Sequence, residues 1–202
     1  MVEVVRCTFE GLLRAAEIVR NGGVIVYPTD TIYGLGCNPY HREAVNRIFE
    51  IKGRRDKPLP VLVSGFHEAY RMAWFSGEAL KLAAAFWPGA LTMVLPRKPA
   101  APKPVGGPLI GLRCPGDLKA KFLVSLCGGS LVGTSANLSG EKPAENAEEA
   151  KEVLGDKVDL ILDGGKARLG RASTVVEISQ GEIKILREEA ISAEEIFKTL
   201  RG

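Results

Sequence analysis

Three groups of polar residues stand where apolar runs stop, and their types suit recognition of a small polar substrate. The first is Thr29-Asp30-Thr31, which follows Gly23-Val24-Ile25-Val26-Tyr27-Pro28 and precedes Ile32-Tyr33-Gly34-Leu35-Gly36. Polar groups packed at the end of a buried strand must be paired. Thr and Asp commonly bond their own backbone in a capped turn, or they form the floor of a pocket. Gly34 and Gly36 give the backbone freedom to turn or to approach a ligand. The second group, Lys52-Gly53-Arg54-Arg55-Asp56-Lys57, places four cations in six residues. Such a cluster either complements the negative end of a helix and solvates a surface, or it gathers phosphate oxygens. The third, Gly133-Thr134-Ser135-Ala136-Asn137-Leu138-Ser139-Gly140, carries small hydroxyls and an amide that bind carboxylate, phosphate or ribose, but also build turns and caps. Arg113, at the end of Leu109-Ile110-Gly111-Leu112, is either a surface cation or a buried carboxylate clamp. Ser173 and Arg187 have ordinary explanations as strand residues.

The elements that position these groups follow from periodicity. Helical spacing marks 9–21, 41–51, 66–74, 77–86, 116–127 and 146–154, with Gly22-Gly23 and Gly53 as stops and Ser76 as an N-cap. Ser192 with Glu195 three residues on is a capping box that opens a closing helix. Extended or apolar runs mark strands at 24–27, 33–37, 61–63, 91–95, 109–113, 130–133 and 160–162, and 173–178 with 182–187 makes a hairpin around Gln180-Gly181. Residues 134–146 read as a polar loop. Five prolines in 96–108 preclude regular structure there and suggest a surface flap. Strands and helices interleave irregularly. The expected fold is therefore α/β: a single domain over 1–202, in three layers, with a mixed sheet.

Composition removes several function classes. At 202 residues, with 46% hydrophobic and 25% charged residues, the chain can bury a real core. No apolar run is long enough to span a bilayer and the start lacks a signal-peptide layout, so no membrane contact and a cytoplasmic location are expected. Cys7, Cys37, Cys114 and Cys127 are widely spaced; with only His41 and His67 beside them no zinc constellation forms, and buried reduced thiols are expected. A net charge of +3 permits an anionic ligand without by itself arguing for nucleic acid. Gly164-Gly165-Lys166 lacks phosphate-loop spacing, and neither a dinucleotide fingerprint nor a Gly-x-Ser-x-Gly elbow is present.

Taken in order, these pieces resemble the YrdC/Sua5 family of threonylcarbamoyl-AMP synthases. The matching segments are Pro28-Thr29-Asp30-Thr31-Ile32-Tyr33-Gly34-Leu35, Lys52-Gly53-Arg54 with Pro58-Leu59, and Trp87-Pro88-Gly89-Ala90-Leu91-Thr92. Leu112-Arg113-Cys114-Pro115, Thr134-Ser135-Ala136-Asn137, Ser173-Thr174-Val175-Val176 and Ile185-Leu186-Arg187 continue the series over nearly the whole chain. Each is individually weak, but the ordered set is specific.

The resemblance implies a twisted mixed sheet around a concave basic cavity, in the short YrdC-type form without a further C-terminal domain. It implies an enzyme that joins L-threonine, bicarbonate and ATP, with magnesium, into threonylcarbamoyl-adenylate and pyrophosphate. The product would pass to a tRNA threonylcarbamoyl-transfer complex, and a weak contact with tRNA or other RNA is compatible. By position, Thr31, Arg113 and Ser173 would contact threonine, with Gly133 and Thr134 lining the pocket. Lys52, Arg54, Lys57, Ser135, Asn137 and Arg187 would contact the nucleotide, Lys52 and Arg54 stabilising the reacting phosphate. No resident metal site is implied. Many relatives have Pro-Gly after the position of Arg187, where this chain has Glu188-Glu189. Two other classes fit less well. An RNA-binding module would need more charge and aromatic surface, and carbamoyl transfer of the hydrogenase-maturation type belongs to chains with extra domains.

Overall fold

The structure, a computed structural model, describes residues 2–53 and 57–202. Arg54, expected in the nucleotide site, lies outside the described residues. The chain runs β1 (Glu3–Arg6), α1 (Phe9–Arg20), β2 (Ile25–Tyr27), β3 (Gly34–Gly36) and α2 (Arg42–Lys52). It continues through β4 (Val61–Val63), α3 (Phe66–Met72), α4 (Gly77–Phe86), β5 (Leu91–Pro96), a 3-10 turn at Lys103–Val105, β6 (Leu109–Arg113) and α5 (Leu118–Leu126). The last part is β7 (Ser130–Val132), β8 (Thr134–Ser135), α6 (Ala147–Leu154), β9 (Leu160–Asp163), β10 (Thr174–Ser179), β11 (Glu182–Arg187) and α7 (Ala193–Arg201).

The α/β class agrees with the expectation from sequence, but the strands divide into two mixed sheets. One has the order β1-β9-β2-β3-β8 and the other β11-β10-β5-β6-β4-β7. In the first, β9 runs parallel to both β1 and β2, while β3 is antiparallel to β2 and β8. In the second, β5 pairs parallel with β10 and antiparallel with β6, and β4 pairs parallel with β6 and antiparallel with β7. The division occurs at Gly133. Val132 ends β7 in the second sheet and Thr134 begins β8 in the first. Backbone bonds knit this seam: Val132 N donates to Cys37 O at 2.9 Å and Gly133 N to Pro60 O at 2.9 Å. A Cβ on Gly133 would lie 2.6 Å from Leu62 Cγ, so only glycine lets the chain cross here without displacing its neighbour.

The inner strands β2 and β9 of the first sheet are covered on both faces, which is why they read as continuous apolar runs. Val24, Val26 and Ile161 enter one core, while Ile25, Tyr27, Leu160 and Leu162 enter a second core against α1 and α5. That two-residue alternation is the strand period itself. Gly34 and Gly36 are strand residues, in neither a turn nor a positive-φ conformation. Their lack of a side chain makes room for Tyr27, whose ring would meet a Cβ on either at 2.8 Å. The Tyr27 hydroxyl then donates to Val132 O at 2.8 Å across the seam.

Residues 96–108 are not a free flap. Val105 is fully buried within the 3-10 turn, and Leu59 N donates to its carbonyl at 3.0 Å. Trp74 N donates to Pro96 O at 2.8 Å and the Tyr40 hydroxyl to Ala100 O at 3.2 Å, while Lys98 N donates to Met72 O at 2.8 Å. Proline removes donors but leaves every carbonyl able to accept, and these acceptors fasten the segment to the body. The polar loop after β7 likewise begins with the short strand β8. All four cysteines are buried free thiols, and among the described residues no helix is long and apolar enough to cross a membrane.

Candidate active site

A cavity of about 480 Å³ opens along the seam between the two sheets. That volume is in the range of small-molecule and cofactor sites, roughly 300–1,000 Å³. Its walls carry Thr31, Lys57, Arg113, Gly133, Thr134, Ser135, Ser173 and Arg187 among the residues expected from sequence. Thr29, Tyr33, Thr92 and Glu177 also line it. Lys52 and Asn137 do not. They stand behind the wall and bond to each other.

Arg113 ends β6 with its side chain buried. Its Nε donates to Gly89 O at 2.9 Å, Nη1 to Thr31 Oγ1 at 2.8 Å and Nη2 to Asp30 Oδ1 at 2.6 Å. The Trp87-Pro88-Gly89 turn therefore supplies a carbonyl that aims the guanidinium. Arginine has five N–H donors, so two remain for a ligand, as the protein's own oxygens occupy the others. Asp30, which on sequence could hold a turn or floor a pocket, is 2% exposed and is the carboxylate partner of Arg113.

Thr31 is held by Thr29. The Thr29 hydroxyl donates to Ile32 O at 2.7 Å, and its oxygen accepts Thr31 N–H at 3.1 Å. The two threonine hydroxyls lie 2.9 Å apart. On the second sheet, Ser173 Oγ and Thr92 Oγ1 are 2.8 Å apart. Arg187 closes this side: Nε and Nη2 donate to Ser173 O at 3.1 and 2.8 Å, and Nη2 also reaches Ser173 Oγ at 3.4 Å. Burial lowers the Arg187 pKa; the charge of Glu189 acts in the opposite sense and that of Arg113 in the same sense. Among the described residues, Arg113 and Arg187 both face this cavity, and Arg187 bonds oxygens of Ser173. A desolvated cation whose hydrogen bonds go to neutral oxygens favours an added anion. Glu188 is turned away, its Oε1 accepting Ala193 N–H at 2.8 Å at the start of α7.

Lys52 is the last residue of α2, whose C-cap Gly53 takes the left-handed conformation with φ 63°. The Lys52 ammonium donates to Ser135 O at 3.0 Å, Ser135 Oγ at 3.4 Å, Asn137 O at 2.9 Å and Asn137 Oδ1. Asn137 Oδ1 also accepts from Ser135 Oγ at 2.7 Å, and Asn137 Nδ2 donates to Glu141 O. Lys52 and Asn137 therefore fix the wall that presents Thr134 and Ser135. Thr92 and Asp30 are the residues that sequence reasoning missed. Both lie in segments that match the family, Asp30 beside Thr31 and Thr92 after Ala90-Leu91, but neither segment says which residue each side chain meets.

Known proteins resemble this chain over most of its length. The Sua5_yciO_yrdC family model, described as "Telomere recombination", matches residues 17–189. A threonylcarbamoyl-AMP synthase of Pyrococcus abyssi is 37% identical over 190 residues, covering 92% of this chain and 56% of that protein. A putative threonylcarbamoyl-AMP synthase of Mycobacterium tuberculosis is 34% identical over 194 residues, covering 94% of this chain and 89% of that protein. The crystal structure of P. abyssi Sua5 complexed with L-threonine matches with a TM-score of 0.91 at 35% identity, over 98% of this chain and 60% of that one. The chain spans a little over half the length of the P. abyssi protein and most of the mycobacterial one.

Proposed function

The chain belongs to the Sua5/YciO/YrdC family, and from that premise we propose that it is an L-threonylcarbamoyladenylate synthase using L-threonine, bicarbonate and ATP. The observation that carries the proposal is one cavity in which the Arg113–Thr31 pair and the Arg187–Ser173 pair share the walls. The first pair suits the carboxylate and a neighbouring donor of an amino acid; the second suits a phosphate beside a hydroxyl. A relative whose structure holds L-threonine supports the amino-acid half.

The reaction needs positioning more than a covalent nucleophile. The threonine amine nitrogen bonds to the carbon of bicarbonate with loss of water, giving a carbamate. A carbamate oxygen then attacks the α-phosphorus of ATP in line, the bond to the bridging oxygen breaks, and pyrophosphate leaves. The two remaining N–H groups of Arg113 take the threonine carboxylate. Arg187, and Lys57 at the exposed rim, offset charge on the phosphates. Lys52 acts from behind by holding Ser135. ATP would bring magnesium, held largely by its own phosphates and water; among the described residues no group of three His, Cys, Asp or Glu side chains is placed to hold a metal ion. The adenylate would then be consumed by a separate complex that transfers the threonylcarbamoyl group to tRNA.

Pyrophosphate release, measured with threonine and bicarbonate omitted in turn, tests the proposal. Release only when both are present with ATP is expected. Release that persists without threonine, or none with all three substrates, overturns it.

A further inference from the structure

The hydroxyl protons around Thr31 can be assigned without seeing them, because two of the partners have fixed roles. Ile32 O is a carbonyl and only accepts, so the single Thr29 hydroxyl proton points to it at 2.7 Å. Thr29 Oγ1 must then accept in its 2.9 Å contact with Thr31 Oγ1, and it already accepts the Thr31 amide at 3.1 Å. Both its lone pairs are used. The Thr31 hydroxyl proton is thereby committed to Thr29. Arg113 has only donors, so its Nη1 at 2.8 Å takes one lone pair of Thr31 Oγ1. One lone pair, and no proton, remains on Thr31 for the cavity.

We propose that Thr29 is a positioning residue that fixes Thr31 as a pure acceptor, and that Thr31 accepts an N–H of the substrate amine. This deepens the synthase reading and rests on it. In an amino acid the amine shares Cα with the carboxylate, so it lies nearest a hydroxyl bonded to the carboxylate-binding guanidinium. Accepting one N–H orients the amine so that its lone pair is free to bond the bicarbonate carbon. Thr29 lines the cavity yet has nothing left to offer a ligand. The Ser173–Thr92 pair differs, because its shared proton has no fixed direction and can answer a substrate hydroxyl in either role.

Thr29→Val and Thr29→Ser separate positioning from a general loss of structure. Threonine affinity is read by calorimetry, and the threonine and ATP KM values by pyrophosphate release. Thr29→Val is expected to weaken threonine about tenfold with the ATP KM unchanged. Thr29→Ser is expected to remain within about twofold of the parent, since it restores the hydroxyl. Equal effects on both substrates, no effect, or failure of serine to restore binding overturns the positioning role. Thr31→Val is then compared on threonine and 2-aminobutyrate, which keeps the amine and lacks the hydroxyl. An equal loss for both supports amine recognition; a loss confined to threonine overturns it. Absence of threonine-dependent release in the parent protein would overturn the synthase reading instead, while the calorimetric comparison still decides the role of Thr29.

Discussion

Arg113 Nη2 donates to Asp30 Oδ1 at 2.6 Å, with the two side chains only 7% and 2% exposed. The pair joins the end of β6 to the turn after β2, and so fixes the guanidinium across the seam of the two sheets. Breaking a buried pair from one side leaves the other charge without compensation. Asp30→Ala is therefore expected to lower unfolding stability by about 3–5 kcal/mol. Asp30→Asn, which still accepts a hydrogen bond, should lose less. Urea denaturation of the three proteins checks the order.

Arg113 serves three protein oxygens at once, which a lysine cannot do from a single nitrogen. Arg113→Lys and Arg113→Ala are both expected to raise the threonine KM at least tenfold, with a much smaller change for ATP. Steady-state kinetics with each substrate varied in turn measures the split. Equal changes in the two constants would show that Arg113 is not the carboxylate clamp.

The Lys52 ammonium organises Ser135 and Asn137 from behind the cavity wall. Lys52→Met leaves those oxygens without their buried cation, and is expected to cost about 3 kcal/mol or more. It should also raise the ATP KM more than the threonine KM, because Ser135 faces the nucleotide in the proposed site. Lys52→Arg is not expected to restore either property, since a planar fork cannot converge on oxygens grouped around one nitrogen.

Burial pushes the Cys37 and Cys127 thiols up to about 12 from an ordinary value of 9.0, against weaker opposing pulls from Arg47 and Arg20. The folded chain keeps these protons after the unfolded chain has released them. Their contribution to stability is thus full below pH 9 and is lost as pH rises toward about 12. Replacing both by alanine should flatten the fall in stability across that window, by up to about 1.4 kcal/mol per pH unit for each thiol. Denaturant titrations at pH 8, 9.5 and 11 measure the difference.

Much of the local structure was legible because its causes are local. Ser192 and Glu195 form the capping box that their spacing predicts, and Gly53 ends α2 in the left-handed conformation its position calls for. The three-residue strands β2, β4 and β7 were legible as strands but not in their neighbours. A short apolar run specifies an extended state and carries no address for its partner. The proline-rich segment was misjudged for a related reason: missing donors are visible in sequence, while the acceptors that bind a segment down are not.

By itself the sequence determined most of the secondary elements, the α/β class and the set of polar groups gathered at strand ends, because periodicity, caps and residue chemistry act over a few positions. Only the tertiary structure decided who bonds whom. Asp30 and Arg113 are 83 positions apart, as are Lys52 and Ser135, and Thr92 and Ser173 are 81 apart. Those pairings make Asp30 the carboxylate partner of Arg113 and set the Lys52 ammonium against Ser135 and Asn137. The physical reason is that a charged or hydroxyl group bonds whatever the fold brings within about 3 Å, and that distance is set by the packing of two sheets at Gly133.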